Sequence, residues 1–554
     1  MAEQTVPVPR GIRSEMATVA GLLSKSWVYK MPPFQRPYSW TDEEVDCLVE
    51  DLRVATAFSY PYYFLGHIVF NAGDGDVFII DGQQRMVTLT ILMAYLRDHT
   101  QDKALSGELQ RLIMMKARDG ARIILRPTDR DFFRSHVQYP GQIEALLQRK
   151  DLEIKPQMLI QRAAANIAAA LDPITEDERD ALARFITRKV TFNLIETEDL
   201  DGASALFRVI NYRGLRPSDS TIIKTELLEK AKFSHDEANE IADRWDNMED
   251  QFGDKGIAEL WSTIEVIVSG QAPREKNNPR SFRSKVIEHV DAQKFLREDL
   301  WRYVYALRDI EDCAVDAGAA SEEVNRRIAC MKLYKDRSWL APAVAMVADH
   351  SGNPELLRRF FLGLDRLAFA CVMTVIRNQG RFERFARVVR ARGQEKDLFG
   401  RDGALMLTTG QTNALIGKLN DPINTDDNRG RLIALRLNAA LPGGTTLSLS
   451  DNATLEHILP KSDTDYWRGK FANDKRRKEY TYLIGNFALL TQKQNDDASN
   501  KSWEEKRRIY FKTRGAPIQA LTADVEHYQD WNEDSLRQRH VFLVGVLCND
   551  LELV

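Results

Sequence analysis

The sequence is poor in cysteine and contains no long hydrophobic run. Five cysteines are scattered over 554 residues, and no two of them form a C-x-x-C pair. This spacing argues against a disulfide framework or a zinc knuckle and favours a reducing compartment. Because no run of 18 apolar residues occurs and the N-terminal segment lacks the apolar core of a signal peptide, we expect a cytoplasmic protein that is neither secreted nor embedded in a membrane.

The chain also lacks a charge excess and a P-loop. Lys and Arg number 77 against 81 Asp and Glu, which leaves a net charge of -4. A uniformly basic coat protein for nucleic acid is therefore excluded, whereas a local basic site is not. The pattern G-x-x-x-x-G-K-[ST] is absent, which disfavours a P-loop NTPase. With 44% hydrophobic and 29% charged residues, the composition is that of a globular protein.

Hydrophobic patterning predicts a mostly helical α+β protein with three domains. Residues 1–235 mix strand and helix patterns, residues 236–425 carry long amphipathic helical patterns, and residues 426–554 mix the two again. In the first domain we expect a β-hairpin over 62–80 that leads through a tight turn into a helix over 86–98.

Weaker patterns add further elements to the first domain. Residues 121–133 predict a short strand that ends in a charged turn, and residues 189–197 predict a second strand. A helix over 220–231 would be capped by Ser218 or Asp219. A further set of three arginines recurs at every fourth residue, which predicts either a phosphate-facing stripe or a solvated helix face. These are Arg126, Arg130 and Arg134.

Near the C-terminus, residues with the chemistry of phosphodiester cleavage occur in a strand–strand–helix order. Glu456 and His457 lie in one predicted strand, and a second is predicted over 480–490. A polar loop is expected over 492–500, followed by a helix whose start carries the capping-box pair Ser502 and Glu505. The order is that of a ββα-metal site.

The residue types in this segment suit hydrolysis by activated water. His457 can act as the base, because an imidazole with a pKa near 6.5 is neutral at cellular pH. Glu456 and Asn495 offer oxygen ligands of the kind that Mg²⁺ or Mn²⁺ prefers. Neighbouring strand residues point to opposite faces, so Glu456 and His457 share a site only if the strand ends or bends near Pro460. The alternative is a packed histidine among turn asparagines.

The same region is locally basic. Residues 461–515 contain 14 Lys and Arg against 8 Asp and Glu, an excess of six positive charges in a chain that is negative overall. Such clusters supply phosphate contacts without sequence choice, or else they form a solvated helix face. The candidate DNA contacts are Lys475, Arg476, Arg477, Lys506 and Arg507.

The N-terminal segment DGQQR (81–85) lies between a predicted strand and a predicted helix. Gly82 permits a tight turn with positive φ, and the backbone N–H groups at the helix start, together with Arg85, would face an anion. Asp81 could orient either a cation or Arg85, and Gln83 and Gln84 can donate or accept hydrogen bonds. The alternative is an ordinary hairpin turn or helix cap.

Two sets of motifs resemble the GmrSD-like type IV restriction endonucleases. The ParB-like N-terminal domain of that family is matched by MPPFQRPYSW (31–40), YFLGHIVF (63–70), IIDGQQRMVTL (79–89) and LFRVINYRGLRPSD (206–219). Its C-terminal HNH nuclease domain is matched by EHILP (456–460), IGNFALL (484–490), Asn495 and SNKSWEEK (499–506). The predicted helical region would lie between the two domains.

The resemblance implies specific roles for these residues. His457 would be the general base, Asn486 would hold the loop that bears it, and Glu456 and Asn495 would bind Mg²⁺ or Mn²⁺, with Asn500 as a rival ligand to Asn495. The N-terminal domain would bind and hydrolyse a nucleoside triphosphate, with GTP expected, and would help to sense DNA. Its nucleotide site would comprise Asp81, Gly82, Gln83, Gln84, Arg85, Gln35, Arg36, Asn211 and Arg213.

Together these features predict an NTP-regulated, modification-dependent endonuclease that acts against phage DNA. Its substrate would be double-stranded DNA that carries a phosphorothioate or a modified cytosine. One alternative is an NTP-dependent DNA-binding regulator with an inactive nuclease module. Another is a toxin-like or RNA-directed HNH protein. A homo-oligomer is left open.

Overall fold

The computed structural model divides the chain into two compact units. The first comprises Met1–Asp254 and Asp291–Gln293, and the second comprises Lys255–Val290 and Lys294–Val554. The division into three domains at 235 and 425 stays a prediction. The structure describes residues 12–32, 35–73, 76–115, 120–197, 218–272, 279–373, 376, 378–423, 428–447, 451–471, 473–512 and 518–553.

The first unit is built on a six-stranded mixed sheet with the order β1-β6-β3-β4-β2-β5. The β3–β4 pair and the β1–β6 pair are antiparallel, whereas β6–β3, β4–β2 and β2–β5 are parallel. The strands are β1 (Ile12–Thr18), β2 (Val28–Lys30), β3 (Tyr63–Gly73), β4 (Asp76–Asp81), β5 (Ile123–Ile124) and β6 (Val190–Thr197). The predicted hairpin and the predicted strand over 189–197 are thereby confirmed.

The described helices of this unit pack their apolar residues into one core with the sheet. The helix Gln83–His99 is buried along most of its length, so the chain passes from β4 directly into the core. The α-helices are Val19–Leu23, Asp42–Ala57, Gln83–His99, Lys103–Ile113, Pro127–Phe133, Ile143–Leu147, Lys155–Leu171, Glu176–Lys189 and Asp219–Ala231, with a π-helical turn at Arg134–Gln138.

The arginine series at every fourth residue does not form one surface. Arg126 is buried and pairs with Asp246, whereas Arg130 is exposed beside Asp131. Arg134 donates to the Tyr139 hydroxyl at 2.9 Å. The phosphate-facing stripe is therefore wrong, because the first member precedes the helix and points into the protein.

The sequence leaves open whether Ser218 or Asp219 caps the helix Asp219–Ala231. The cap is Ser218, whose hydroxyl accepts from the backbone N–H of Thr221 at 3.1 Å. Asp219 is the first helical residue. The next helix, His235–Ser269, is broken at Gly253, where φ is 61° and ψ is 176°. Within this unit, the motif residues 206–217 lie outside the described ranges.

The second unit contains helices alone in the described residues between 255 and 447, which confirms the expected helical region. The α-helices there are Pro279–Phe282, Leu300–Glu311, Ser321–Lys332, Leu340–His350, Pro354–Val372, Asn378–Ala391, Glu395–Phe399, Thr409–Asn420 and Arg429–Ala440. The short helix Ala292–Lys294 belongs to the first unit except for its last residue. Shorter turns are π-helical at Arg283–Ile287 and Phe295–Asp299 and 3₁₀-helical at Gly318–Ala320. None of the helices in the described ranges combines the length and the apolar character that a bilayer crossing requires.

The C-terminal part of this unit carries a two-stranded antiparallel sheet followed by helices. Strand β7 (Thr454–His457) pairs with β8 (Phe487–Leu490), so that His457 lies opposite Phe487. The helices are Asp465–Arg468, Asp474–Thr481, Gln492–Ala498, Trp503–Lys512, Ala520–Ala523 and Glu533–Asp550, with a 3₁₀ turn at Ile484–Asn486.

Two sequence-based boundaries in this region are wrong. The sequence predicts a strand over 480–490, but β8 occupies only the last four of these residues, Phe487–Leu490. The segment begins in a helix instead, because the helix capped by the Asn473 side chain continues to Thr481. The polar loop expected over 492–500 is largely a helix. Thr491 and Gln494 form a capping box there, and this signature of Thr followed three residues later by Gln was present in the sequence.

The 3₁₀ turn before β8 is fixed by the last helix. Arg539 is fully buried and donates to the carbonyl oxygens of Gly485 and Phe487, both at 2.7 Å. A Cβ atom on Gly485 would lie 2.6 Å from the Cβ of His540, so only glycine permits this approach. The turn that carries Asn486 is therefore held against a rigid helix.

Candidate active site

His457 stands at the end of β7 with its ring enclosed by aromatic side chains. The ring makes edge contacts with Tyr482 and Phe487, with centroids 5.9 and 5.5 Å away. Its Nε2 atom is buried and has no hydrogen-bond partner among the described residues. Burial lowers the pKa of His457 to about 3, helped by the positive charges of Lys461 and Lys506. The ring is therefore neutral at cellular pH and retains a nitrogen that no protein group uses.

Asn486 holds the backbone that follows His457. Its side chain accepts from the N–H of Leu459 at 2.7 Å and donates to the carbonyl of the same residue at 2.9 Å. It also donates to the carbonyl of Thr481 at 2.9 Å, and it is fully buried. The sequence analysis expected Asn486 to hold this loop, and the structure places it there, while its part in catalysis stays a prediction.

Glu456 points away from His457, to the opposite face of the strand. Its Oε1 atom accepts from the ammonium of Lys506 at 2.6 Å and from the hydroxyl of Tyr510 at 2.9 Å. Lys506 also donates to the carbonyl of His457 at 3.1 Å. Burial raises the pKa of Glu456 and lowers the pKa of Lys506, and the attraction between the two charges opposes both shifts.

The predicted metal ligands are engaged by protein groups as they are placed. The ammonium of Lys506 already holds Oε1 of Glu456, so a divalent ion on this carboxylate would lie beside a like charge. The amide nitrogen of Asn495 donates to the Thr454 hydroxyl at 2.9 Å and to the Leu455 carbonyl at 3.0 Å, so it braces the start of β7. In the described ranges, no three His, Cys, Asp or Glu side chains are grouped as metal ligands. We therefore assign no metal to these residues.

In the first unit, the glutamines of DGQQR bind protein groups. Gln83 donates to Gln35 Oε1 at 3.2 Å and to the Arg36 carbonyl at 3.0 Å. Gln84 donates to the Pro37 carbonyl at 3.0 Å and accepts from the backbone N–H of Ser39 at 2.9 Å. We call Gln35, Gln83 and Gln84 the glutamine clamp, because these three buried side chains tie residues 35–39 to the start of the helix Gln83–His99.

Asp81 and Arg85 form an ion pair beside the glutamine clamp. Their closest atoms are 3.2 Å apart, and Arg85 also donates to the carbonyl of Leu65 at 3.0 Å. Gly82 between them has a φ of 94°, as the sequence predicted for this turn. Of the two roles left open for Asp81, the structure shows the one in which it orients Arg85. Both side chains keep about a fifth of their surface exposed, at 20% and 22%.

The remaining candidates for the nucleotide site differ in their placement. Arg36 is exposed at the edge of the glutamine clamp, whereas Asn211 and Arg213 lie outside the described residues. The first helical N–H groups after Gly82 have no intrahelical acceptor, which is the usual setting for an anion at a helix N-terminus. Arg36, Arg85 and this helix start remain the predicted phosphate-binding groups, although the side chains of the first two helical residues, Gln83 and Gln84, are buried.

Comparisons with known families match the N-terminal and the C-terminal parts of the chain, which carry the two candidate sites. The model of the GmrSD restriction endonuclease N-terminal domain matches residues 19–228, and that of the C-terminal domain of GmrSD restriction endonucleases matches residues 408–546. The chain belongs to the GmrSD-like type IV restriction endonuclease family. No curated protein matches it. Since restriction endonucleases cleave DNA, DNA is the partner that membership implies.

Within the GmrSD C-terminal domain, the predicted DNA contacts fall into two groups. Lys475 and Arg476 are exposed, although Arg476 pairs with Glu533. Arg507 is half-buried and donates to the Glu526 carbonyl. Arg477 and Lys506, also predicted as DNA contacts, are buried. Neither presents its charge on the surface, and their contact with DNA stays a prediction. A charge run on a helix therefore includes residues that the helix turns inward.

Lys461 is a residue of the GmrSD C-terminal domain that sequence reasoning missed. It is exposed, it directly follows EHILP, and its ammonium lies 5.6 Å from the centre of the Tyr482 ring that contacts His457. Its charge contributes to the lowered pKa of His457. The available signal was its position one residue after Pro460, in a segment that must bend away from the strand.

Proposed function

We propose that this chain is an NTP-regulated, modification-dependent DNA endonuclease whose C-terminal domain cuts phosphodiesters by HNH-type chemistry, with His457 as the general base. The observation that carries the proposal is the buried Nε2 atom of His457, which has no hydrogen-bond partner among the described residues. It lies beside a loop that Asn486 fixes by two hydrogen bonds to Leu459, while a third bond ties Asn486 to Thr481. A buried polar atom without a partner calls for an explanation, and a catalytic role is one. The Nε2 atom of His540 is another such atom in the same domain.

The chemistry assigned to the chain's own residues is limited to His457 and its supports. A neutral imidazole can take the proton of an attacking water, provided that its ring is held in one orientation. Tyr482 and Phe487 restrict the ring, and Asn486 restricts the backbone. A phosphate bound near His457 would raise its pKa, since a neighbouring negative charge favours the protonated ring. No step is assigned to a divalent ion.

The regulatory part of the proposal concerns the first unit. Arg36 and Arg85 are cations beside a helix N-terminus that begins with a glycine of positive φ, and this combination suits phosphate groups. We propose that a nucleoside triphosphate, with GTP as the expected one, binds there and licenses cleavage. Phosphorothioate or modified cytosine is the proposed mark on the DNA.

The test is a cleavage assay on plain, glucosylated, hydroxymethylated and phosphorothioated duplexes, each with and without GTP and Mg²⁺. We expect one modified duplex to be cut in a GTP-dependent manner. His457→Ala should abolish cutting and retain GTP hydrolysis. His527→Ala is the matched control, because His527 is an exposed histidine of the same unit whose ring contacts Tyr528. Unchanged cleavage by His457→Ala would refute the assignment.

One observation favours a second candidate, an NTP-dependent DNA-binding regulator with an inactive nuclease module. The carboxylate expected to bind a metal is bonded to an ammonium and a phenol. This candidate predicts DNA-dependent NTP hydrolysis and DNA binding without nicking of any duplex in the panel. The same assay therefore separates the two candidates.

A further inference from the structure

A buried contact joins Lys506 to the candidate active site. The ammonium of Lys506 lies 2.6 Å from Glu456 Oε1 and 3.1 Å from the carbonyl oxygen of His457. The side chain of Lys506 has no exposed surface, and that of Glu456 has 6%. One cation therefore touches two consecutive residues of β7, one of which carries the proposed base.

The helix Trp503–Lys512 explains how a lysine reaches this position. Ser502 and Glu505 cap its start, since Glu505 accepts from the backbone N–H of Ser502 at 3.1 Å. Trp503, Lys506 and Tyr510 are spaced three and four residues apart, so they share the helix face that packs into the core. Lys506 and Tyr510 are thereby directed at the same carboxylate oxygen.

This contact disfavours a divalent ion at Glu456. The ammonium already holds one carboxylate oxygen, and an ion on the other oxygen would be a like charge close to it, which is strongly unfavourable inside a protein. Removing the lysine would leave a buried carboxylate whose remaining partners, the Tyr510 hydroxyl and the backbone N–H of His457, are neutral. A cation would relieve this unfavourable state.

We propose that Lys506 is a positioning residue that occupies the place of a divalent cation at Glu456. Its ammonium neutralises the carboxylate and bonds the His457 carbonyl, so that the strand end carrying the base is fixed without a metal ligand at Glu456. The inference rests on the proposed function for its relevance to cleavage, whereas the ion-binding claim stands on the contacts alone.

The experiment measures Mn²⁺ binding to the full chain by electron paramagnetic resonance of the free ion. In the parent protein, Glu456→Gln should leave the Mn²⁺ titration unchanged. Lys506→Met should create a Mn²⁺ site with an affinity about tenfold or more above that of the parent, and the added change Glu456→Gln should remove it. Lys512→Met is the matched control, because Lys512 is exposed on the same helix, and it should bind Mn²⁺ as the parent does.

A parent protein that binds Mn²⁺ and loses it on Glu456→Gln would overturn the proposal, whatever happens to the lysine variants. If Lys506→Met does not fold, Lys506→Arg replaces it. We expect that variant to keep the parent's Mn²⁺ titration and its KM for DNA, with a lowered kcat because the bond to His457 is displaced. A new Mn²⁺ site in Lys506→Arg would also count against a fixed cation.

The two proposals fail separately. Absence of cleavage by the parent protein, together with a Glu456-dependent Mn²⁺ site in Lys506→Met, would remove the nuclease function and support the fixed cation. Cleavage by the parent protein, together with a Glu456-dependent Mn²⁺ site in the parent, would support the nuclease function and remove the fixed cation.

Discussion

The glutamine clamp and the end of β7 are both dense in polar side chains, but they use them differently. In the clamp, Gln83 and Gln84 make bonds of 2.9 to 3.2 Å to protein atoms. At the end of β7, Asn486 and Lys506 are likewise bonded, whereas one nitrogen of His457 has no partner among the described residues. The first region connects residues 35–39 to a helix start by hydrogen bonds, and the second contains a ring nitrogen, Nε2 of His457, that has no partner among the described residues.

This difference separates two meanings of a polar motif. Burying a polar group costs stability unless a hydrogen bond compensates it, so satisfied groups indicate architecture. An unsatisfied buried group calls for an explanation, and for His457 the proposed explanation is catalysis. By this criterion DGQQR contributes mainly to the fold, and this includes Arg85, which is bonded to Asp81 and to the Leu65 carbonyl. The exposed Arg36 is the better candidate for a ligand contact. In the segment EHILP, Glu456 has a structural role in its bond to Lys506, and His457 has the proposed catalytic role.

The largest expected effect belongs to Asn486→Ala. Three side-chain hydrogen bonds would be lost, which corresponds to about 3 kcal/mol of unfolding free energy. The loop after His457 would no longer be fixed, and we expect cleavage to fall by about 100-fold or more. Urea unfolding and cleavage kinetics measure the two quantities. Asn500→Ala is the control, because Asn500 is exposed in the same unit.

A loss of cleavage in Asn500→Ala equal to that in Asn486→Ala would contradict this assignment. It would indicate that Asn500, the rival ligand of the sequence analysis, acts in the site.

The second effect tests the clamp. Gln84→Ala removes two hydrogen bonds and should cost about 2 kcal/mol of stability. Hydrogen exchange should rise at residues 35–39. Arg36→Ala should have the reverse profile, with unchanged stability and weaker nucleotide binding. Nucleotide affinity is measured by calorimetry on both variants. If Gln84→Ala lost nucleotide binding without loss of stability, the clamp would be part of the ligand site.

A smaller effect is expected for Lys461→Ala. One exposed cation near His457 would be removed, which should weaken DNA binding a few-fold and lower the salt dependence by about one phosphate contact. Fluorescence anisotropy at several salt concentrations measures both. Lys493→Ala serves as control, since Lys493 is exposed on the neighbouring helix Gln492–Ala498. Equal effects of the two variants would show a diffuse basic surface.

The smallest effect concerns pH: kcat/KM for cleavage should not change near pH 6.5 through protonation of His457. Because the pKa of His457 is lowered to about 3, the ring stays neutral between pH 8 and about pH 5. The ratio kcat/KM reports the free enzyme, so it should show no decline attributable to this ring near pH 6.5. A decline centred near pH 6.5 that is absent in His457→Gln residual activity would show that the ring is solvated.

The same shift has a defined sign for stability. In the unfolded chain the imidazole takes up a proton near pH 6.5, whereas the folded ring does so only near pH 3. Acidification across this window therefore destabilises the fold. His457→Phe should reduce that slope, as measured by thermal unfolding at several pH values.

The sequence predicted the elements that rest on strong local patterns. The branched and aromatic residues around NAGDGD predicted the hairpin of β3 and β4, and Ser502 with Glu505 predicted the start of a helix. The helix at 492–498 was missed because its polar composition outweighed the Thr491–Gln494 capping box.

Side-chain destinations were harder to predict than elements. Lys506 was assigned to a DNA-facing surface because it belongs to the run KRR. Its spacing from Trp503 and Tyr510 was the contrary signal, since all three fall on one helix face. No local pattern could reveal that Glu456, on a strand fifty residues earlier, supplies its partner, because tertiary contact decides that pairing.

The helix Trp503–Lys512 gives the site an unusual sensitivity to chain length. Each added or deleted residue rotates everything beyond it by about 100°. A single insertion between Trp503 and Lys506 would thus swing both the ammonium and the phenol away from Glu456 while leaving every catalytic residue in place. Insertions and deletions between Trp503 and Lys506 are therefore expected to be rare, even among relatives whose surface residues differ.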